Sequence, residues 1–458
     1  MSVASSLGLA PARGPGTVAI GAGIALVATG ITLAAGTLVL ALPVIAVAIY
    51  VLVRHPPVLL ALFVFVPYFE SAPGIRAIPF DPTAALAALV LAVCAVRVLN
   101  GGLRIPPMGF LVPLGIIGIL LVLGWTDTPD PAYGREKTEK FFTVTLLAAL
   151  APFALLGSKQ ALHQFLWAIV AGAVVVASLT PVLEPTVAPG IATEYDTKGR
   201  YSFGGQIFPA RFLCTGALIL FLVPGLLTGR RRFLAVPAAV AISVVALGFG
   251  ARGPVAAFAA TLVAVAAISA LRSPRQLAVV LVAVAAAAAA LPFVAVPGSA
   301  AGRLARAAND PVATLRGDNR FLLYEQALQL FRQNPIAGAG TGAYAAYSGI
   351  VSPPRQLLRY PHNIFLELGA ENGFVPVLAF LSMVVGGVVA LMRRVIAADD
   401  REERQLLTIV LGLFILNFLS TQVSGDLNDN RTTLTTLAVA WMVGRDGLQG
   451  AERPSTPE

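Results

Sequence analysis

Gly14–Val53 reads GPGTVAIGAGIALVATGITLAAGTLVLALPVIAVAIYVLV, 40 consecutive residues without an acid, a base or a histidine. A helix crosses the roughly 30 Å hydrocarbon core of a bilayer in about 20 apolar residues. The stretch therefore holds two spans, with a break near Gly36. The same test finds further blocks at about 57–69, 82–99, 107–124, 139–157, 160–182, 206–228, 233–251, 253–271, 276–297, 373–392, 405–423 and 431–445. That makes fourteen candidates, or as few as twelve if the short, proline-bounded block at 57–69 and the weakly apolar Ala285–Ala290 run do not span. With 57% hydrophobic and 12% charged residues, against about 25% charged in soluble domains, the chain is expected to be an all-α, polytopic membrane protein. A nucleic-acid module, a cytosolic enzyme and a disordered scaffold are excluded together.

The net charge of +9 then reads as topology before it reads as ligand binding, because Lys and Arg in short loops are retained in the cytoplasm. Arg13, Arg54, Arg97 with Arg104, Lys159, Arg230–Arg232, Arg272 with Arg275, Arg393 with Arg394, and Arg445 fall on one face if fourteen spans are counted. Both termini are expected to be cytoplasmic, and no cleavable signal peptide is expected because the first apolar block is too long. The connections near 70–81, 125–138, 183–205, 252, 298–372 and 424–430 fall on the other face. The chain divides into spans over 1–297, a long external loop over 298–362, C-terminal spans over 363–446, and a polar tail over 447–458 expected to be disordered. Cys94 and Cys214 both lie in apolar runs and read as small core residues.

The external loop of 65 residues carries seven Arg against three acids, which makes an anionic ligand plausible. Within it the spacing predicts an amphipathic helix over 319–333, capped by Asp318 or Asn319, with Phe321, Tyr324, Leu328 and Phe331 on one face and an end at Asn334–Pro335. Gly338-Ala339-Gly340-Thr341-Gly342 lacks the strand and the lysine of a phosphate loop and reads as a turn. No internal repeat of the inverted-transporter kind is visible.

Few residues remain that could carry chemistry. Arg252 interrupts an uncharged stretch with nineteen residues on each side, so the chain is expected to turn back at Gly250-Ala251-Arg252-Gly253-Pro254. Arg252 then reads either as an arginine snorkelling to the interface or as a guanidinium held between glycines to grip a phosphate through paired hydrogen bonds. Of the three histidines, His55 and His163 fall at the cytoplasmic side and read as packing residues. His362 lies where the external loop returns to the membrane, and it reads either as a helix cap or as a group for proton transfer from a hydroxyl. Arg320 opens the loop helix, where helix terminus and charge both favour an anion. Asp426, Asp429 and Arg431 gather in the last external turn and read equally as sugar contacts or caps. No spacing of His, Cys, Asp and Glu marks a metal site.

Asn319-Arg320, Asn334-Pro335 with Gly338 and Gly340, and Pro361-His362-Asn363 followed by Leu366, Glu371 and Gly373 together resemble the O-antigen ligase and polysaccharide polymerase superfamily. Gly250-Ala251-Arg252-Gly253 is similar to that family's membrane-edge arginine, with Ala251 where a serine is frequent. The motifs cover about 120 residues.

The resemblance implies a GT-C-like, inverting glycosyltransferase, with no cofactor and no metal, that uses an undecaprenyl-diphosphate-linked glycan donor at the outer face of the cytoplasmic membrane of a bacterium. It implies that Arg252 and Arg320 stabilise the diphosphate leaving group and that His362 orients or deprotonates the acceptor hydroxyl. Glu371 would orient His362 or simply brace the helix, Glu371 and Asn363 are candidates for binding the substrate, and Arg211 is a third candidate for the lipid phosphate. The partners implied are the donor, a glycan or lipid-glycan acceptor and the bilayer, with no nucleic acid. Ligase and polymerase chemistries share these residues. A transporter or flippase for a lipid-linked or anionic substrate is the alternative, and it would place ionisable groups near mid-helix.

Overall fold

The computed structural model describes residues 47–69, 78, 80–183, 207–227, 229, 231–270, 319–348, 351–352, 356–357 and 359–447. Most of the first two expected spans, the span at 276–297, the connection 183–205 beyond Leu183, the loop up to 318 and the tail from 448 lie outside them.

Among the described residues the fold is all-α apart from a two-residue antiparallel ladder. The helices, in chain order, are α1 (Val47–Arg54), α2 (Pro56–Phe65), α3 (Pro82–Leu99), α4 (Met108–Thr126), α5 (Pro131–Leu155), α6 (Lys159–Leu183), α7 (Ile207–Leu222), α8 (Arg231–Gly248), α9 (Arg252–Ala270) and α10 (Asn319–Gln333). After α11 (Tyr344–Ser348), β1 (Val351–Ser352) and β2 (Gln356–Leu357) follow α12 (Ile364–Asn372), α13 (Phe374–Ala397), α14 (Arg401–Thr421) and α15 (Arg431–Asp446). In the ladder Val351 pairs with Leu357 and Ser352 with Gln356.

Six of these helices, α3, α4, α5, α6, α13 and α14, are long and apolar enough to cross a membrane, and α1 with α2, bent by 110°, makes a seventh if the pair is one span. The chain is thus a multi-pass membrane protein. Its outward faces carry Leu91, Val96, Ile119, Leu123, Val244 and Val385 exposed. Water would not tolerate such a continuous surface, whereas lipid does.

Helix starts follow local chemistry. Asp81 caps α3 by accepting from the N–H groups of Thr83 and Ala84, with Pro82 next. Asp400 caps α14 through Glu402 and Glu403. Lateral packing uses small residues, as it must where no hydrophobic drive separates helix from lipid. Gly216 of α7 faces Ala173 of α6, while Gly386 and Gly387 of α13 admit Trp441 of α15.

Two elements differ from the sequence reading. The connection expected over 125–138 is largely helix: α5 begins at Pro131, capped by Asp130 through Tyr133 N–H, and runs through a π-helical stretch at Phe141–Thr145. In α10 the buried stripe is Leu323, Ala327 and Leu330, packed on Tyr344 and Ala370, while Phe321 and Leu328 are exposed. Ala327 explains the choice. A small residue mid-stripe lets α10 approach α12 closely enough for Phe331 to rest on Gly369, and two apolar stripes of similar period cannot both face inward.

The glycine-rich run threads between α12 and α4 as a strap. Ala339 and Gly340 N–H groups donate to the carbonyls of Ala370 and Glu371, and Thr341 N–H donates to Gly124 O. Gly338 sits at φ +73, and a Cβ there would collide with Glu371 and Asn372 backbone. Gly338→Ala should therefore cost about 1–3 kcal/mol in strain alone, read as a lower thermal unfolding midpoint in detergent, and an unchanged midpoint would remove the strap from the account.

Candidate active site

The turn between α14 and α15, residues 422–430, is where distant segments meet. Tyr324, one turn after Arg320 in α10, donates its hydroxyl to Gln422 O at 2.8 Å. Asn363 Nδ2 donates to Gln422 O at 3.3 Å and to its Oε1 at 3.2 Å. Gly253 lies against the neighbouring residue: a Cβ on it would stand 3.0 Å from Val423 Cγ2. The segments that carry Arg320, His362 and Arg252 thus abut the same two residues. Arg252 opens α9 two residues after Gly250, which takes φ +76. Arg252, Arg320 and His362 are each partly accessible.

His362 does not cap α12. Asn363 does, its Oδ1 accepting from Phe365 and Leu366 N–H at 3.0 and 3.1 Å. His362 instead takes φ +60, and among the described residues no other non-glycine has a positive φ. A left-handed backbone at a β-carbon residue costs of order 1–3 kcal/mol and persists only where its surroundings hold it. The buried Pro361 and the cap at Asn363 do so on either side. The imidazole meets the Tyr360 ring edge-on, with centroids 4.7 Å apart, and the Tyr360 hydroxyl donates to Asp429 Oδ2 at 3.3 Å. Burial, then the Asp426 charge, push the Asp429 carboxyl up to about 7, against the opposing pull of Arg431, the Tyr360 hydrogen bond and Lys140. Burial and the Asp429 charge hold the Tyr360 hydroxyl well above its ordinary range.

Below the turn lies an ion triad. Lys137 Nζ stands 2.5 Å from Glu367 Oε1 and 2.5 Å from Glu371 Oε2, with each side chain about 1% exposed. Glu367 also accepts from Leu427 N–H at 3.1 Å, and Asn428 Nδ2 donates to Lys137 O at 3.0 Å. Burial pushes the Glu367 carboxyl up to about 8 and raises Glu371, although Lys137 pulls both down. Glu371 therefore braces α12 against α5 and is not paired with His362 by any hydrogen bond described.

Arg211 is also displaced from its expected role. It is fully buried, and its guanidinium donates to Asn417 Oδ1 and O, Asn430 Oδ1, Thr432 Oγ1 and Thr433 Oγ1 at 2.7–3.2 Å. With those bonds made and the Tyr68 ring 5.7 Å away, it has no face left for a lipid phosphate. It supports the turn from inside, since Asn430 Nδ2 donates onward to the carbonyls of Ser424 and Asp426.

Residues 237–381 match the family model described as O-antigen ligase. This segment is similar to the O-antigen ligase family. No curated protein matches the chain. The matched segment contains Arg252, Arg320, His362, Asn363 and Glu371, while Lys137, Arg211 and the turn 422–430 lie outside it.

Lys137 was missed because Arg135-Glu136-Lys137-Thr138-Glu139-Lys140 has the composition of a solvated face. The available signal was periodicity: Gly134, Lys137 with Thr138, Phe141 and Thr145 recur at helical spacing, and all are buried. Among the described residues no group of three or more His, Cys, Asp or Glu could hold a metal ion.

Removing one member of a buried ion group leaves the others uncompensated, at about 3–5 kcal/mol. Lys137→Met should lose stability of that order, and Lys137→Met with Glu371→Gln should recover part of it; a wild-type unfolding midpoint for Lys137→Met would refute the bracing role. Because the Glu367 carboxyl is raised from 4.5 to about 8, the folded state binds more protons than the unfolded one across that interval. Stability should fall as pH rises through it, and Glu367→Gln should flatten that slope in unfolding measured over a pH series.

Proposed function

We propose that the protein transfers or polymerises an undecaprenyl-diphosphate-linked glycan onto an acceptor hydroxyl at the outer face of a bacterial cytoplasmic membrane, as an O-antigen ligase or polysaccharide polymerase does. The observation that carries this reading is the meeting at Gln422–Val423 of the segments bearing Arg252, Arg320 and His362, all within the matched segment. Arg252 and Arg320 take up the charge that grows on the diphosphate as the bond between it and sugar C1 breaks. The acceptor oxygen forms the new bond to C1 from the opposite face, with inversion. His362 receives the hydroxyl proton and releases it to solvent. Two fixed guanidiniums supply the charge a metal would otherwise supply, so the reaction is proposed to need no metal. Both termini are proposed to be cytoplasmic.

A transporter would need ionisable groups along an open path. The charged groups held deepest here are sealed, Lys137, Glu367 and Glu371 bonded to one another and Arg211 to Asn417, Asn430, Thr432 and Thr433, which favours chemistry at one face over passage.

Arg252→Ala and Arg320→Ala should each lower glycan transfer at least about a hundredfold, the scale of losing one preorganised transition-state donor, with folding intact. His362→Ala should lower turnover more than donor binding. Purified protein, a polyprenyl-diphosphate glycan and candidate acceptors, with product mass as readout, test all three. Wild-type transfer by both arginine variants would defeat the diphosphate role, and inhibition by a chelator that Mg2+ reverses would defeat the metal-free one.

A further inference from the structure

We infer that Tyr360, moored through its hydroxyl to Asp429, is a positioning residue that sets the orientation of the His362 ring; this rests on His362 acting as proposed above. The backbone at His362, at φ +60, is held by Pro361 and the Asn363 cap. Tyr360 packs against the His362 ring. Its ring meets the imidazole at 77° and 4.7 Å between centroids, within the range where edge-to-face pairs attract. The phenol ring sits in one of a few staggered rotamers, and its far end is tied by the bond to Asp429 Oδ2 at 3.3 Å, which selects one of them.

Asp429 is in turn fixed, its N–H donating to Asp426 Oδ1 at 2.7 Å. Asn430, the next residue, is gripped by Arg211. The chain of contacts therefore runs from the buried core through Asp429 and Tyr360 to a ring on a strained backbone. A second contact fixes the approach of the same segment: Arg359 lies 5.0 Å over the Tyr133 ring and 3.7 Å from Glu136 Oε2, which pins the residue before Tyr360 to the first turns of α5.

The test uses the full chain with 13C-labelled histidine, whose three residues give three signals, His362 being identified by its loss in His362→Ala. Tyr360→Phe keeps the ring and loses the mooring; Tyr360→Leu loses both. The expected result is a displaced or broadened His362 signal with those of His55 and His163 unmoved. Turnover should fall about tenfold in Tyr360→Phe and further in Tyr360→Leu, the first being the scale of one hydrogen bond to a charged group, with KM for the polyprenyl-diphosphate glycan unchanged. Asp429→Leu should match Tyr360→Phe, and combining the two should add little. An unmoved His362 signal with wild-type kcat in both Tyr360 variants overturns the inference, as does disturbance of all three signals together, which would make Tyr360 a residue of the fold. If His362→Ala itself retains turnover, the active-site reading fails instead.

Discussion

A lysine amine sealed between two carboxylates is costly to dehydrate, at several kcal/mol per ion even after relaxation, and it is tolerated only where geometry returns most of that cost. Lys137 meets Glu367 and Glu371 in this way. The two carboxylates stand one turn apart on α12, so a single cation on α5 fixes both the depth and the rotation of that helix. Glu367 extends the constraint to Leu427, which brings the turn between α14 and α15 into register with α12. The turn at 422–430 and the segments that meet it are built on this three-way lock.

Around it the protein spends its polar groups on itself. Arg211, buried in the bundle, uses its guanidinium on Asn417, Asn430 and two threonines. Asn372 donates to Leu120 O and Thr341 Oγ1, closing the glycine strap against α4. These groups bond within the protein and form a floor beneath the turn. Above the floor lie partly accessible groups, Arg252, Arg320, His362, Tyr360 and Asp429. This division separates charge spent on holding the fold from charge left partly accessible.

The strain at His362 belongs to the same logic. A loop returning to the membrane must start a helix, and the cap geometry at Asn363 demands an extended residue there, at φ −145. The direction reversal falls one residue earlier, where Pro361 has already restricted the chain. The histidine takes the left-handed conformation between two committed neighbours, Pro361 with its ring-locked φ and Asn363 as the cap.

From the amino-acid sequence alone came the all-α membrane class, most helix positions, the turn that presents Arg252 and the segment around His362, because each rests on local hydropathy, glycine placement or helix periodicity. Asn363 was legible as a residue of interest but not as the cap, whereas bracing was one of the two readings open for Glu371. Lys137 and Arg211 show why. Whether a cation faces water, lipid or a carboxylate depends on which helices become neighbours, and residues 234 positions apart, such as Lys137 and Glu371, share no local signal. Tertiary structure alone decided that pairing, the choice of buried stripe on α10 and the meeting of distant segments at Gln422–Val423, since long-range packing selects among faces that period and composition leave equivalent.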